Sequence, residues 1–130
     1  MTNTIELKEP VEDSKELINI LFELAQCIGT QQYHKGQLTL KYTDGIKELI
    51  DLAKCYWLIQ DISIVSSMDF NDLEFQIWIL QSQDGRAVLT MKEDTNEPVK
   101  YRQEYPLTDF PEGTMKIYVV DNVMLLPSEY

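Results

Sequence analysis

The chain has 130 residues, 44% hydrophobic, 10% aromatic and 25% charged, too rich in large apolar side chains for a disordered chain. No apolar run reaches the roughly 20 residues of a membrane-spanning helix. With 22 acidic against 11 basic side chains the formal charge is −11, which argues against direct nucleic-acid or anionic-membrane binding, because those energies come from Lys and Arg displacing counterions.

The length suits a single domain, read here as residues 12–130 behind a flexible polar lead-in at 1–11. That lead-in, MTNTIELKEP, has neither the basic start nor the apolar stretch of a secretion signal. The expected compartment is the cytoplasm, with Cys27 and Cys55 as reduced thiols.

Asp13 and Ser14 offer caps for a first helix, with Glu16 in its first turn. Leu17, Leu21, Leu24 and Ile28, flanked by Ile18, Phe22 and Ala25, follow at helical spacing, and Gly29 is the expected stop. A loop over 29–37 leads to LTLKY, a short strand or extended lead-in. Asp44 is the expected cap of a second helix carrying Ile46, Leu49, Ile50, Ala53 and Trp57. From Cys55 to Val65 the chain is nearly all apolar. The run ISIV favours a strand, whereas length and the spacing of Leu58, Ile62 and Val65 favour a helix, which is preferred for 56–66.

From residue 72 the period changes to two. Leu73, Phe75, Ile77 and Ile79 alternate with Glu74, Gln76 and Trp78. The Asp84-Gly85 hairpin signal precedes Ala87, Leu89 and Met91, which alternate with Arg86, Val88 and Thr90. EDTNEP forms a turn before Val99, Tyr101, Gln103 and Tyr105, and PLTDFPEG a longer loop before Met115, Ile117 and Val119. Asp121-Asn122 is a tight hairpin turn into VMLL, the final strand, which Pro127 ends. Helices followed by strands predict an α+β fold, with the N-terminal helices packed on one face of a roughly five-stranded antiparallel meander. The exposed face would carry Glu74, Gln76, Trp78, Arg86, Thr90, Lys100, Arg102 and Glu104. Trp78 there marks a covered edge or an interaction surface; a sheet partly buried on both faces is the weightier alternative.

Motifs for chemistry are sparse. One histidine and two cysteines make no zinc constellation, and the acids around Asn71 lack the spacing of a calcium loop, so no metal and no cofactor are expected. Neither a nucleophile elbow nor a phosphate-cradling glycine loop occurs, and no catalytic residue is assigned. Between Lys54 and Arg86, however, there is no base, while Asp61, Asp69, Asp72, Glu74 and Asp84 fall there. These acids, with Trp78 as an anchor, suggest an acidic module binding a basic protein, as an inhibitor or nucleic-acid mimic of a nucleic-acid-binding one. The alternative is a small-molecule-binding domain or unrecognised enzyme using Tyr33, His34, Tyr42, Asp44 and Tyr56 around one pocket. A homo-oligomer joined through a sheet edge is compatible with either.

The stretches YTDGIKEL, CYWLIQDI, EFQIWIL, YRQEYPLTDFP and VVDNVMLLPSEY, taken in this order, resemble a family of small uncharacterised bacterial, phage and plasmid proteins, a domain of unknown function. The resemblance runs over residues 29–130. It implies a stand-alone cytosolic domain and brings no activity, substrate or site residues.

Overall fold

The computed structural model describes residues 4–130, so residues 1–3 of the expected lead-in lie outside the described residues. Among the described residues three α-helices, α1 (Lys15–Leu24), α2 (Asp44–Ala53) and α3 (Tyr56–Asp69), accompany seven strands: β1 (Tyr33–Lys35), β2 (Lys41–Thr43), β3 (Phe75–Gln83), β4 (Arg86–Lys92), β5 (Val99–Tyr105), β6 (Gly113–Val120) and β7 (Val123–Leu125). The fold is α+β. The sheet runs β1-β2-β7-β6-β3-β4-β5 and every pairing is antiparallel except β2 with β7. The expected five-stranded meander is thus corrected. The β1–β2 hairpin adds two strands at one edge, and β7 lies between β6 and β2. β6 pairs with β3 rather than with β5, which breaks the meander, and β1 and β2, at three residues each, are too short to show a period of two.

Ser14 caps α1, its Oγ accepting from the Leu17 amide at 3.2 Å, and Leu17, Ile20 and Leu24 are buried. The helix stops at Leu24, short of Gly29, and tightens there, Gln26 N–H donating to the Glu23 carbonyl (3.2 Å) and Cys27 N–H to that of Leu24 (2.9 Å). The Ser128 hydroxyl lies 2.7 Å from the Cys27 carbonyl and 3.4 Å from that of Leu24. The start of α1 is clamped to the start of β6: Ser14 N–H donates to the Glu112 carbonyl (2.8 Å) and Thr114 N–H to Asp13 Oδ1 (2.9 Å). Gly113 sits between them at φ +135°, where a Cβ would meet Leu17 and come within 2.8 Å of the Asp13 Cα.

Thr43, not Asp44, caps α2, accepting from the Ile46 amide at 3.3 Å. Lys54, in left-handed conformation at φ 54°, separates α2 from α3. The segment over 56–66 is helical, within α3, and polar side chains are buried along it: Ser63, Ser66 and Ser67. Ser63 lies where a Cβ on Gly36 would strike it, and Ser67 Oγ holds Thr39 through its amide (3.3 Å) and hydroxyl (3.0 Å). The β1–β2 connection therefore packs on one side of α3. Its apolar residues Leu58, Ile59 and Ile62 join the main core on another, which is why the helix lacks a single apolar stripe.

The alternations of β4, β5 and β6 place Ala87, Leu89, Met91, Tyr101, Gln103, Tyr105, Met115, Ile117 and Val119 on one face, as expected. In β3 the faces are reversed. Trp78 is opposite both Met91 and Ile117, and Leu80 is opposite Leu89 and Met115, so Gln76, Trp78, Leu80 and Ser82 take the core side. Trp78, expected on the exposed face, is 1% exposed. FQIWIL is apolar on both sides; the large indole takes the core side, and Ile77 is buried on the other face. Gln76 is tolerated there because its amide is satisfied: Oε1 accepts from Ser66 Oγ and Trp78 Nε1, both at 2.9 Å, and Nε2 donates to the Phe70 carbonyl at 3.0 Å.

The other face of β3 is also covered. Ile5 is buried, its N–H donating to Glu104 (2.6 Å) and its carbonyl accepting from Arg102 (2.7 Å). Lys8 N–H donates to Gln83 at 2.8 Å. Farther along, Phe75, Tyr118 and Tyr130 form a cluster with ring centroids 5.2–5.7 Å apart. Among the described residues no helix is long and apolar enough to cross a membrane.

Candidate functional site

The structure brings some of the Tyr/His/Asp set together. His34 Nε2 is 2.8 Å from Asp44 Oδ1, and the His34 ring stacks on Tyr42 with centroids 5.2 Å apart. Burial, then the charges of Tyr56 and Asp51, push the Tyr42 phenol up; Tyr56 opens α3 and is exposed. Tyr33 does not join them. Alternation along β1 turns it into a separate groove with Thr43, Val123, Leu125 and Glu129. Asp44 Oδ2 accepts from the Gln31 (3.0 Å) and Gln32 (3.3 Å) amides, and Thr30 Oγ1 accepts from the Asp44 amide (2.9 Å). Asp44 is therefore the post to which the loop before β1 is tied.

Cys55 is buried in the core, where desolvation raises its thiol to about 12. Cys27 is also pushed up, by burial and then by Glu129, Glu48 and Asp44. Both cysteines are unbridged and both remain thiols at neutral pH, so neither is an activated nucleophile for His34. The residue that sequence reasoning missed here is Glu129. Its Oε1 accepts from Thr43 Oγ1 (2.6 Å) and the Leu126 amide (3.0 Å), and Oε2 from the Gly45 amide (3.2 Å), so a carboxylate from the far end of the chain satisfies the start of α2. No local signal links residues so far apart.

The His34 hydrogen bond, then those from the loop amides, hold the Asp44 carboxyl below its ordinary value of 3.8. A depressed carboxyl pKa contributes stability above the ordinary value and loses it as pH falls through the folded one. Exchange of the Gln31 and Gln32 amides, followed by NMR and corrected for intrinsic rates, should thus lose protection below about pH 4. Protection unchanged down to the acid unfolding transition would mean that Asp44 does not hold this loop.

The predicted acidic set divides. Asp61 is engaged, accepting from the Tyr105 hydroxyl at 2.7 Å. Asp84 lies at the β3–β4 turn, with its amide donating to Glu112 at 2.7 Å. Trp78 is a core side chain and is corrected from its place as an exposed anchor. Asp69 is exposed at the end of α3. Asp72 and Glu74, at the opposite end of β3 from Asp84, line a groove of about 530 Å³ with Leu73, Phe75, Glu93, Asp94 and Glu97. Lys100, 3.4 Å from Glu93, is its neighbouring base. EDTNEP, expected only as a turn, supplies Glu93, Asp94 and Glu97. Antiparallel pairing of β4 with β3 returns it to the start of β3, where Asp72 and Glu74 stand. Among the described residues no group of three or more His, Cys, Asp or Glu is placed to hold a metal.

A family model described as a family of unknown function, DUF6876, matches residues 18–130. The chain belongs to this family. The match begins within α1, so the family includes most of that helix as well as the sheet. No curated protein and no solved structure matches the chain. The family carries no assigned function.

Proposed function

We propose that this chain is an acidic interaction module that binds a basic protein through the groove at the start of β3. The observation that carries the reading is the convergence of Asp72, Glu74, Glu93, Asp94 and Glu97, from two chain segments, on one concavity in a protein of charge −11. Concave, single-sign surfaces focus the field and raise the encounter rate of an oppositely charged partner. A nucleic-acid-binding protein fits this description, because it presents Lys and Arg for phosphate. The pocket of Tyr33, His34, Tyr42, Asp44 and Tyr56 is the weaker alternative, since Tyr33 faces elsewhere and both Asp44 oxygens are occupied.

The test compares two triple variants of equal net charge. Asp72→Lys, Glu74→Lys and Glu97→Lys reverse the groove, whereas Glu12→Lys, Glu16→Lys and Glu23→Lys reverse α1 and its approach. Association with an oligoarginine peptide should slow about ten-fold or more for the groove variant and much less for the other. For the wild type, binding should weaken steeply between about 50 and 500 mM salt. Equal effects of the two variants would reduce the charge to a non-specific property and remove the groove as the site.

A further inference from the structure

A second concavity lies at the other end of β5, lined by Trp57, Tyr105, Leu107, Thr108 and Asp109 and about 520 Å³ in volume. Trp57, in the first turn of α3, meets Tyr105, the last residue of β5, with ring centroids 5.0 Å apart and planes at 61°. The Tyr105 ring is held by its hydroxyl bond to Asp61 (2.7 Å). Burial and that carboxylate push the phenol far up, so the ring stays neutral. The far wall is pinned as well, since Thr108 N–H donates to the Gly85 carbonyl (2.8 Å) and Thr108 Oγ1 accepts from the Phe110 amide (3.2 Å). Leu107 nevertheless leaves 88% of its surface in solvent.

Two angled aromatic rings, an uncovered leucine and a carboxylate, with no base in the lining, define the occupant by elimination. An anion is repelled by Asp109 and by the Asp61 charge behind Tyr105. A neutral apolar group would use the rings and Leu107 but gain nothing from Asp109, which is exposed at the rim. A cation on a carbon stem satisfies each wall: the stem lies on Leu107, the head faces the negative π surface of the rings, and the carboxylate lies beside it.

We propose that the Trp57–Tyr105 pocket receives an arginine or lysine side chain of the basic partner. The partner's identity as a basic polypeptide rests on the reading given above, whereas the pocket rests on different residues. Its position suits a shared partner. α3 runs along β5 in the opposite direction, with Trp57 at Tyr105 and Phe70 at Tyr101. Asp61 and Asp69 therefore lie between the pocket and the acidic groove. The two sites are separated by the length of β5, about 20 Å, so an extended basic segment can engage both.

The experiment follows the two tryptophan indole N–H signals and the backbone amides of the full chain by NMR during titration with oligoarginine, then with oligocitrulline, its neutral isostere. Trp78, sealed in the core, serves as an internal reference. The expected result is a saturable shift of the Trp57 indole with oligoarginine and none with oligocitrulline. Affinity should fall about three- to ten-fold in Trp57→Leu and be largely retained in Trp57→Phe, with unchanged Trp78 signals reporting intact folding. Shifts confined to residues around Asp72, Glu74 and Asp94 would overturn the pocket while leaving the groove standing. Equal responses to both peptides would make it an apolar site and overturn the cation. No response anywhere would overturn pocket and groove together.

Discussion

Replacing Trp78 with alanine should destabilise the protein by about 3–5 kcal/mol, the range for truncating a large buried aromatic. Its ring packs against Tyr101 with centroids 5.7 Å apart, and its indole N–H is one of the donors that satisfy Gln76. Trp78→Phe separates these contributions. It keeps much of the packing but removes the donor, leaving Gln76 Oε1 with Ser66 alone, and should cost about 1–2 kcal/mol. Urea unfolding should show a lower midpoint with an unchanged slope for both variants. The experiment also tests the orientation of β3. A loss below about 1 kcal/mol for Trp78→Ala is the result expected of a surface tryptophan, and would return Ile77 and Ile79 to the core side.

Gly113→Ala should cost about 2–4 kcal/mol, combining backbone strain at a φ of +135° with overpacking against α1. The methyl group would press on the Asp13 backbone, which cannot swing aside as the end of a side chain can. Relief requires α1 to lift from β6, breaking the Ser14–Glu112 and Thr114–Asp13 hydrogen bonds. The loss should therefore be local first. Amides in α1, beginning with Leu17 and Ile18, should exchange faster than those of β3 and β4 at pH 7. Uniform acceleration across the sheet would show that α1 is not separately anchored at Gly113.

The sequence disclosed those parts of the fold whose chemistry is one-sided. In β4, β5 and β6 the alternation is clean enough to give the buried face, and in α3 length outweighs the β-branched run. It misled at β3, where apolar residues occupy both faces and the decision depends on which side chain fits between Met91 and Ile117. It was silent about β1, which falls in a stretch expected as a loop, and about the parallel pairing of the expected strand VMLL with β2, a partner remote in sequence. The acidic groove was half legible: Asp72 and Glu74 stood out in a base-free stretch, but Glu93, Asp94 and Glu97 join them only through the antiparallel return of β4. Trp57, expected on the second helix, lies in α3, and nothing local shows that Tyr105 would meet it.

The parallel pairing of β2 with β7 has a kinetic consequence. Lys41 pairs with Val123 and Tyr42 with Met124, so a loop of about 80 residues closes before these strands meet, and contacts at such separation form late. The β3–β4 and β4–β5 hairpins need only short turns and can assemble early. The β1–β2 hairpin has no neighbour in the sheet until β7 arrives, and Glu129 reaches the start of α2 at the same stage. The corner holding His34, Tyr42 and Asp44 should thus be the last region to become native and the first to open under mild denaturant, through a partial unfolding that leaves β3, β4 and β5 in place.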